Sequence, residues 1–207
     1  LTVDASVKDS MLHDQRFVAM KVKDAVVDQF RDKFGIRPDV DNYNAALRIY
    51  VKAYKNKFDI SIDTSGDSLF ARGYRKEVVD APVKENLAAG LLALACWDRK
   101  SPLVDFMCGS GTFLIEGALM ALNIAPGIHR KRFGFMTLQN FDVKVWDKVV
   151  DEAMAQEKED LDFKFYGFDI DKSAISIAKL NARSAGVDHV IDFKREAVAT
   201  VEPPIEK

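Results

Sequence analysis

The stretch LVDFMCGSGTFLIEG, residues 103–117, constrains the fold more than any other part of the chain. An apolar segment ends in an acid, a Cys-Gly-Ser-Gly-Thr turn follows, and a second apolar segment continues beyond the turn. A glycine turn between a strand and a helix lets a ligand approach the backbone and the N-terminus of the helix. The pattern therefore predicts a buried strand, a ligand-binding loop and a helix, in that order.

The acid before this turn, Asp105, limits which ligand the loop can hold. Gly109 and Gly111 match the first two glycines of the dinucleotide-binding pattern, but Leu114 stands at the third. The acid expected about 20 residues later is also absent, because the next acid at a predicted strand end is Asp169. A phosphate beside Asp105 would meet like charge, whereas S-adenosylmethionine carries an ammonium and a sulfonium and no phosphate. The loop therefore favours this cationic ligand.

Strand-like and helix-like segments alternate from the glycine turn onward, which indicates a parallel, doubly wound sheet. PLVDF, FKFYGFDI and VIDFKRE are predicted strands. TFLIEGALMALN is a predicted helix, and so is DKSAISIAKLNARSAG, with Asp171 as its cap and Gly186 as its stop. Asp169 ends the second strand, where an acid can bind both hydroxyls of a ribose. Ile170, next to it, is placed to lie against an adenine.

The N-terminal part of the chain has a different pattern, with LTVDASV as a strand already under way. QRFVAMKVKDAVVDQFRDKFG predicts an amphipathic helix that ends at Gly35, and LRIYVKAYKNKFDISI predicts a hairpin. Residues 1–65 are therefore expected to be part of a small α+β domain. Residues 66–82 are polar and form the expected linker, and Pro82 suits the first turn of a helix that opens residues 83–207. The chain is expected to begin inside a larger protein.

Acidic and basic residues nearly balance, since 30 Lys and Arg against 32 Asp and Glu give a formal net charge of −2. Contact with nucleic acid must therefore depend on local basic patches. One patch comprises Arg72, Arg75 and Lys76, and another comprises His129–Arg132 within an insertion of roughly Ile124 to Asp162. Each alone is as compatible with a solvated surface as with phosphate contact. Their expected position near the carboxyl edge of the sheet favours contact.

The two cysteines, Cys96 and Cys108, lie in apolar sequence surroundings and do not have a zinc-ligand spacing. We expect reduced thiols in a cytoplasmic protein and no metal site. No apolar run in the sequence reaches the length that spans a bilayer, so no membrane partner is expected. The oligomeric state stays open.

A family resemblance extends over essentially the whole chain. DFMCGSGTFLIEGALMALNIAPG resembles the D-P-x-C-G-S-G-T-x-x-I-E-A-A…N-x-A-P-G signature of the THUMP-domain ribosomal RNA methyltransferases. GFDIDKSAISIAKLNARSAGV is similar to the second motif of that family, and ALRIYVKAYKNKFDISIDTSGDSLFARGYR is similar to the end of its THUMP module. The resemblance implies an α/β fold in which a partial Rossmann-like class I methyltransferase sheet follows part of a THUMP RNA-binding domain. It also implies an S-adenosylmethionine-dependent enzyme that acts on guanine N2 of large-subunit ribosomal RNA.

The resemblance also assigns roles to residues of the loop and the second strand end. Asp105 and the two loop glycines would hold the methionine end of the cofactor, and Asp169 would bind the ribose. Lys84–Glu85 and Arg72–Arg75 would lie near the methionine end or the substrate entrance. The implied cofactor-binding residues are Asp105, Cys108, Gly109, Gly111, Thr112, Asp169 and Ile170.

Three departures from the family pattern affect these expectations. Phe106 replaces the usual Pro after the motif acid, which removes a constraint on the loop backbone. Ala197 stands where related enzymes often place an Asp against the adenine amino group. Glu202-Pro203-Pro204 only superficially matches the catalytic Asn/Asp-Pro-Pro-Tyr loop, and we interpret it as a linker to a strand beyond the chain. No catalytic residue is therefore assigned, and the chain is expected to be an internal piece.

Several alternatives stay open at the level of sequence. A nicotinamide-dependent dehydrogenase is disfavoured by the acid at the loop, whereas a non-catalytic RNA-binding protein with a methyltransferase-like fold is not excluded. Asp105 could only order its own turn, and Asp169 could only cap a helix. Cys108 is expected to be a small core residue, and Glu116 is as compatible with a solvated position as with a functional one.

Overall fold

The computed structural model describes four stretches of the chain, which are residues 1–41, 45–77, 80 and 82–202. By its internal contacts the chain divides into two compact units. Unit 1 comprises residues 1–68 and 131–141, and unit 2 comprises residues 69–130 and 142–207. The predicted linker to a further strand, from Pro203 onward, lies outside the described residues.

Unit 1 is a small mixed sheet with one helix packed on it. Its elements are β1 (Thr2–Lys8), α1 (Gln15–Phe34), β2 (Arg48–Tyr54) and β3 (Lys57–Ile62). β1 pairs with β2 in parallel and β2 pairs with β3 in antiparallel register. Helix α1 begins after Asp14, whose side chain accepts the amides of Arg16 and Phe17, and ends at Gly35 with φ of 67°. The predicted helix and hairpin are confirmed.

The segment of residues 131–141 packs within unit 1, although it lies far along the chain. The Phe135 amide donates to the Thr64 carbonyl at 2.8 Å. A side chain at Gly134 would place its Cβ 2.6 Å from the Asp63 carbonyl, so the two backbones meet at a point that only glycine permits. Part of the predicted insertion therefore completes unit 1.

Unit 2 is built on three parallel strands in chain order, β4-β5-β6. Its elements are α2 (Glu85–Leu94), β4 (Val104–Asp105), α3 (Thr112–Ala121), α4 (Val143–Met154), β5 (Phe165–Asp169), α5 (Lys172–Ala185) and β6 (Ile191–Arg195). Helices α3 and α5 connect or flank these strands, as a doubly wound sheet requires. The predicted partial Rossmann-like sheet is confirmed.

The ends of the unit 2 helices follow the sequence in one case and depart from it in another. Asp171 caps α5 by accepting the Ser173 amide, and Gly186 ends it with φ of 75°, as predicted. Helix α2 begins at Glu85 and not at Pro82, so the helix-start prediction is wrong by three residues. Cys96 is exposed just after α2, which differs from the apolar environment expected for it.

The core of unit 2 surrounds α3, which is buried on nearly every side. Leu114 and Ile115 pack with Phe165 of β5 and Phe193 of β6. A helix that is apolar on nearly every side belongs in an interior. Helix α3 has Glu116 as its one charged residue and carries the glycine turn at its N-terminus. The core therefore fixes the position of the loop.

Among the described residues, no helix is both long and apolar enough to cross a bilayer.

Candidate functional site

A cleft of about 650 Å³ lies at the carboxyl end of β4 in unit 2. Asp105, Cys108, Gly109 and Thr112 line it, together with apolar side chains such as Phe113. Its volume falls within the range of about 300–1,000 Å³ that is usual for small-molecule sites. Four of the residues predicted from the sequence to contact a cofactor thus share one cavity.

The glycine turn is held in a conformation that its two glycines permit. Gly109 has φ of 53° and Gly111 has φ of 80°, both in the left-handed region. The Gly111 amide donates to the Cys108 carbonyl at 2.8 Å and closes the turn. A Cβ on Gly111 would lie 3.0 Å from the Phe193 ring, so backbone conformation and packing both require glycine there.

Asp169 joins the loop to the end of β5. Its Oδ2 accepts the Gly109 amide at 2.9 Å, and its Oδ1 accepts the Asp171 amide at 2.9 Å. The Cys108 amide donates to the Phe168 carbonyl at 2.9 Å, which fastens the loop to the same strand. Since Asp171 provides the cap of α5, Asp169 does not have the cap-only role that the sequence left open.

Asp105 is half-buried at the mouth of the cleft. Its Oδ1 accepts the Met107 amide at 3.1 Å, so it does order its own turn. Burial raises the pKa of this carboxyl, and the nearby charge of Asp169 raises it further. Among the described residues, no basic side chain forms an ion pair with either acid. Two neighbouring carboxylates without a cation are costly, and a cationic ligand would lower that cost.

The remaining predicted residues have distinct surroundings. Cys108 is buried, and burial raises the pKa of its thiol to about 12, so it is a core residue and a poor nucleophile. Ile170 is 68% exposed beside Asp169 and does not line the cleft. The Glu196 amide donates to the Asp169 carbonyl at 3.0 Å, which holds the backbone immediately before Ile170.

Phe106, which replaces the family proline, lines the cleft and is 43% exposed. Its ring lies nearly parallel to that of the buried Phe168, with centroids 6.2 Å apart. Ring stacking therefore supports the loop where the proline constraint is missing.

Sequence reasoning missed a set of buried charges behind the loop. Glu116 of α3 is 2% exposed, so the solvated position that the sequence leaves open for it is wrong. The Tyr74 hydroxyl donates to Glu116 at 3.0 Å, and the Arg72 guanidinium lies 3.4 Å from it. Burial raises the pKa of both Tyr74 and Glu116. The sequence does carry a signal for this set, because Glu116 is the single charge in an otherwise apolar helix. A charge that is buried with such a helix needs a partner of opposite charge or a hydrogen-bond donor.

The proposed phosphate contact of one basic patch is corrected by the same pairs. The side chains of Arg72 and Arg75 are 13% and 15% exposed, and each is paired with a buried glutamate. A buried, neutralised guanidinium is not available to a polyanion. Lys76 of this patch is exposed, and so are His129, Lys131 and Arg132 of the second patch.

Comparison with known protein families gives two matches that together span most of the chain. Residues 72–206 match the methyltransferase domain of RMKL-like proteins, and residues 1–63 match the THUMP domain. A similar curated protein is the ribosomal RNA large subunit methyltransferase K/L of Shewanella amazonensis, which is 44% identical over 208 residues. The alignment covers 99% of this chain and 29% of that protein, so the chain spans less than a third of the relative.

Solved structures show the same architecture. SMU.472, a candidate methyltransferase solved in complex with SAH, is 34% identical with a TM-score of 0.85. A protein from Listeria monocytogenes, assigned by prediction as an N6-adenine-specific DNA methylase, is 35% identical with a TM-score of 0.89. Each comparison covers 99% of this chain and 54% of the other.

Proposed function

The chain belongs to the RMKL-like methyltransferase family, and on that premise we propose that it binds S-adenosylmethionine and serves methylation of guanine N2 in large-subunit ribosomal RNA. The name of the Shewanella relative supports the RNA substrate, and the SAH complex of SMU.472 supports the cofactor. The THUMP match at residues 1–63 supports binding to RNA.

The observation that carries the proposal is the pair of acids at the ends of two adjacent parallel strands. Asp105 ends β4, Asp169 ends β5, and the glycine turn runs between these two strands. In open α/β sheets, ligands bind outside the carboxyl ends of the strands. An unneutralised pair of acids favours a ligand that is cationic at one end and offers hydroxyl donors at the other. S-adenosylmethionine fits both requirements, whereas a pyrophosphate cofactor offers ribose hydroxyls but would bring anionic phosphates beside Asp105.

Each residue of the loop has a proposed part in holding the cofactor. Asp105 accepts hydrogen bonds from the ammonium of the methionine end, and Gly109 and Gly111 permit close approach of the backbone. Asp169 accepts the ribose hydroxyls with the lone pairs that its two backbone contacts leave free. Ile170 offers an exposed apolar side chain for the adenine. Cys108 and Thr112 complete the lining of the cleft.

The chemistry that the cofactor supplies is a methyl group activated by a sulfonium. The protein contributes position, because the lone pair of a guanine N2 is delocalised into its ring and attacks poorly unless it is held in line. Polar groups that hold this nitrogen and accept its hydrogens would add electrostatic stabilisation. We assign no such group to the described residues.

Calorimetry and a methylation assay test the proposal together. We expect SAH to bind the chain with micromolar or tighter affinity and NAD to show no binding at millimolar concentration. The longer protein that contains the chain should transfer labelled methyl to large-subunit RNA, with the label on guanine N2 after nuclease digestion. Label on adenine N6 in DNA would favour the assignment of the Listeria neighbour. SAH binding without any transfer would favour the non-catalytic alternative.

A further inference from the structure

Behind the glycine loop, one guanidinium contacts three acceptors on two separate pieces of unit 2, the start of α2 and the start of α3. Arg75 Nε lies 3.0 Å from Glu85 Oε1 on the first turn of α2. A terminal nitrogen of Arg75 donates to the Val83 carbonyl at 2.7 Å and to the Thr112 hydroxyl at 3.1 Å. Thr112 is the first residue of α3 and lines the cleft. Arg75 therefore connects the cleft to the segment that precedes α2.

A second side chain makes an independent connection from the same segment to the loop. Asn181 of α5 is 1% exposed, and its Oδ1 accepts the Lys76 amide at 2.9 Å. Its Nδ2 donates to the Glu77 carbonyl at 3.2 Å and reaches the Ser110 carbonyl at 3.5 Å. Ser110 lies between the two loop glycines in the sequence. Residues 72–77, called the strap below, are thus tied to the loop at two points.

The other end of the strap is fixed to the body of α3. Tyr74 is 1% exposed and donates to Glu116, and Arg72 pairs with the second oxygen of the same carboxylate. These contacts bury two further charges that neutralise each other. The strap is therefore anchored on α3 one turn away from Thr112, and it has little freedom to move independently of the loop.

A loop with two glycines in the left-handed region needs such support. Glycine loses more conformational freedom on ordering than any other residue, so an unsupported turn of this kind samples many shapes. A binding loop that is already in its bound shape avoids the entropy cost of ordering at the moment of binding. The contacts to Ser110 and Thr112 are made to the loop itself. Contacts that only stabilised the core would not need to reach the loop.

We propose that Arg75 is a positioning residue for the methyl donor, and that the strap holds the glycine loop in its binding shape through Thr112 and Ser110. The inference rests on the proposed function, because it assumes that the loop binds the donor. Arg75 itself does not line the cleft, so its effect on the donor is transmitted through the loop.

Calorimetry with SAH on single and double variants tests the proposal. Arg75→Gln and Thr112→Val are each expected to weaken SAH binding by about tenfold, the effect typical of one charge-assisted hydrogen bond. The double variant should be weaker than either single variant by less than about threefold, because both changes remove the same contact. Additive losses would overturn the coupling between Arg75 and the loop.

Two further variants separate positioning from general stability. Arg75→Lys keeps a positive charge for Glu85 but cannot reproduce the fork that reaches three acceptors, so it should lose affinity as Arg75→Gln does. The melting temperature of each variant, measured alongside its SAH affinity, shows whether a loss of affinity merely follows a loss of stability. Arg183→Gln is the matched control, since that side chain is 72% exposed and pairs only at the surface.

Hydrogen exchange without any ligand gives the readout that a merely structural role would not move. Amides of residues 109–115 should exchange faster in Arg75→Gln, Arg75→Lys and Thr112→Val, while those of β5 stay protected. If wild type does not bind SAH, the proposed function fails. If wild type binds and the variants show unchanged affinity and unchanged exchange at the loop, the positioning role is overturned. Should Arg75→Gln not fold, Thr112→Val and Arg75→Lys decide the question.

Discussion

Two groups of acids surround the glycine loop, and they differ in what neutralises them. Glu85 and Glu116, behind the loop, each meet an arginine within 3.4 Å and are almost completely buried. Asp105 and Asp169, at the strand ends, meet backbone amides and, within the described part of the chain, no paired cation. A buried acid with its cation supports the fold, whereas an acid kept without one is available to a ligand. The presence or absence of a paired cation therefore distinguishes the acids that stabilise the fold from the acids of the candidate site.

The largest expected effect comes from breaking a scaffold pair. Glu116→Ala leaves Arg72 and Tyr74 buried without their acceptor, and removing one partner of a buried ion pair costs about 3–5 kcal/mol. Urea unfolding should show this loss in the free energy of unfolding, with an unchanged slope. A loss below about 1 kcal/mol would mean that Glu116 is solvated and that the two groups of acids do not differ.

The next largest effect comes from removing a site acid. Asp169→Ala deletes the proposed acceptor of the ribose hydroxyls and the partner of the Gly109 amide, so SAH affinity should fall at least about 100-fold. Asp171→Ala is the matched control, because it removes the cap of α5 and costs about 1 kcal/mol of stability without changing affinity. Equal affinity for Asp169→Ala and wild type, measured by calorimetry, would contradict the ribose assignment.

A smaller effect of opposite sign is expected for the other site acid. Burial raises the folded-state pKa of Asp105 above its ordinary value, so its ionisation opposes folding. The cost is absent below the unfolded-state pKa of about 4, grows as the pH rises from there to the folded-state pKa, and is constant above it. Asp105→Asn should therefore melt above wild type at pH 8, and the gap should close towards pH 4. A variant that melts lower at pH 8 would make Asp105 a scaffold residue.

The smallest effect should come from an acid that is paired at the surface. Glu152 on α4 pairs with Lys148, and both side chains are more than half exposed. Solvent weakens such a pair, so Glu152→Ala should change the free energy of unfolding by at most about 0.5 kcal/mol. Thermal melting measures this. A loss comparable with that of Glu116→Ala would show that burial does not set the value of an ion pair in this protein.

The sequence was sufficient where local signals are strong. Helix α5 lies between the cap at Asp171 and the stop at Gly186, and α1 ends at Gly35, because capping groups and left-handed glycines act within one turn. The glycine turn was also readable, because the left-handed φ of Gly111 and the Phe193 ring 3.0 Å from where its Cβ would lie both require the glycine that the sequence shows.

Contacts between residues that are distant in the sequence could not be predicted from local signals of this kind. Helix α2 begins at Glu85 and not at Pro82, because the backbone of Lys84 is still extended, and its first residue pairs with the distant Arg75. Likewise, the basic patch at residues 72–76 looked free for phosphate until its arginines were seen beside Glu116 and Glu85. Sequence reasoning thus missed the part of the site that is held by side-chain pairs at least 10 residues apart in the sequence.

We propose that Asp105 is kept without a cation so that it can bind the ammonium of the methyl donor. Calorimetry of wild type and Asp105→Asn with two ligands tests it most directly: SAH, which has an ammonium, and 5′-methylthioadenosine, which has none. We predict that Asp105→Asn weakens SAH binding by at least about tenfold and leaves binding of 5′-methylthioadenosine unchanged. Equal losses for both ligands, or no loss for SAH, would contradict the account.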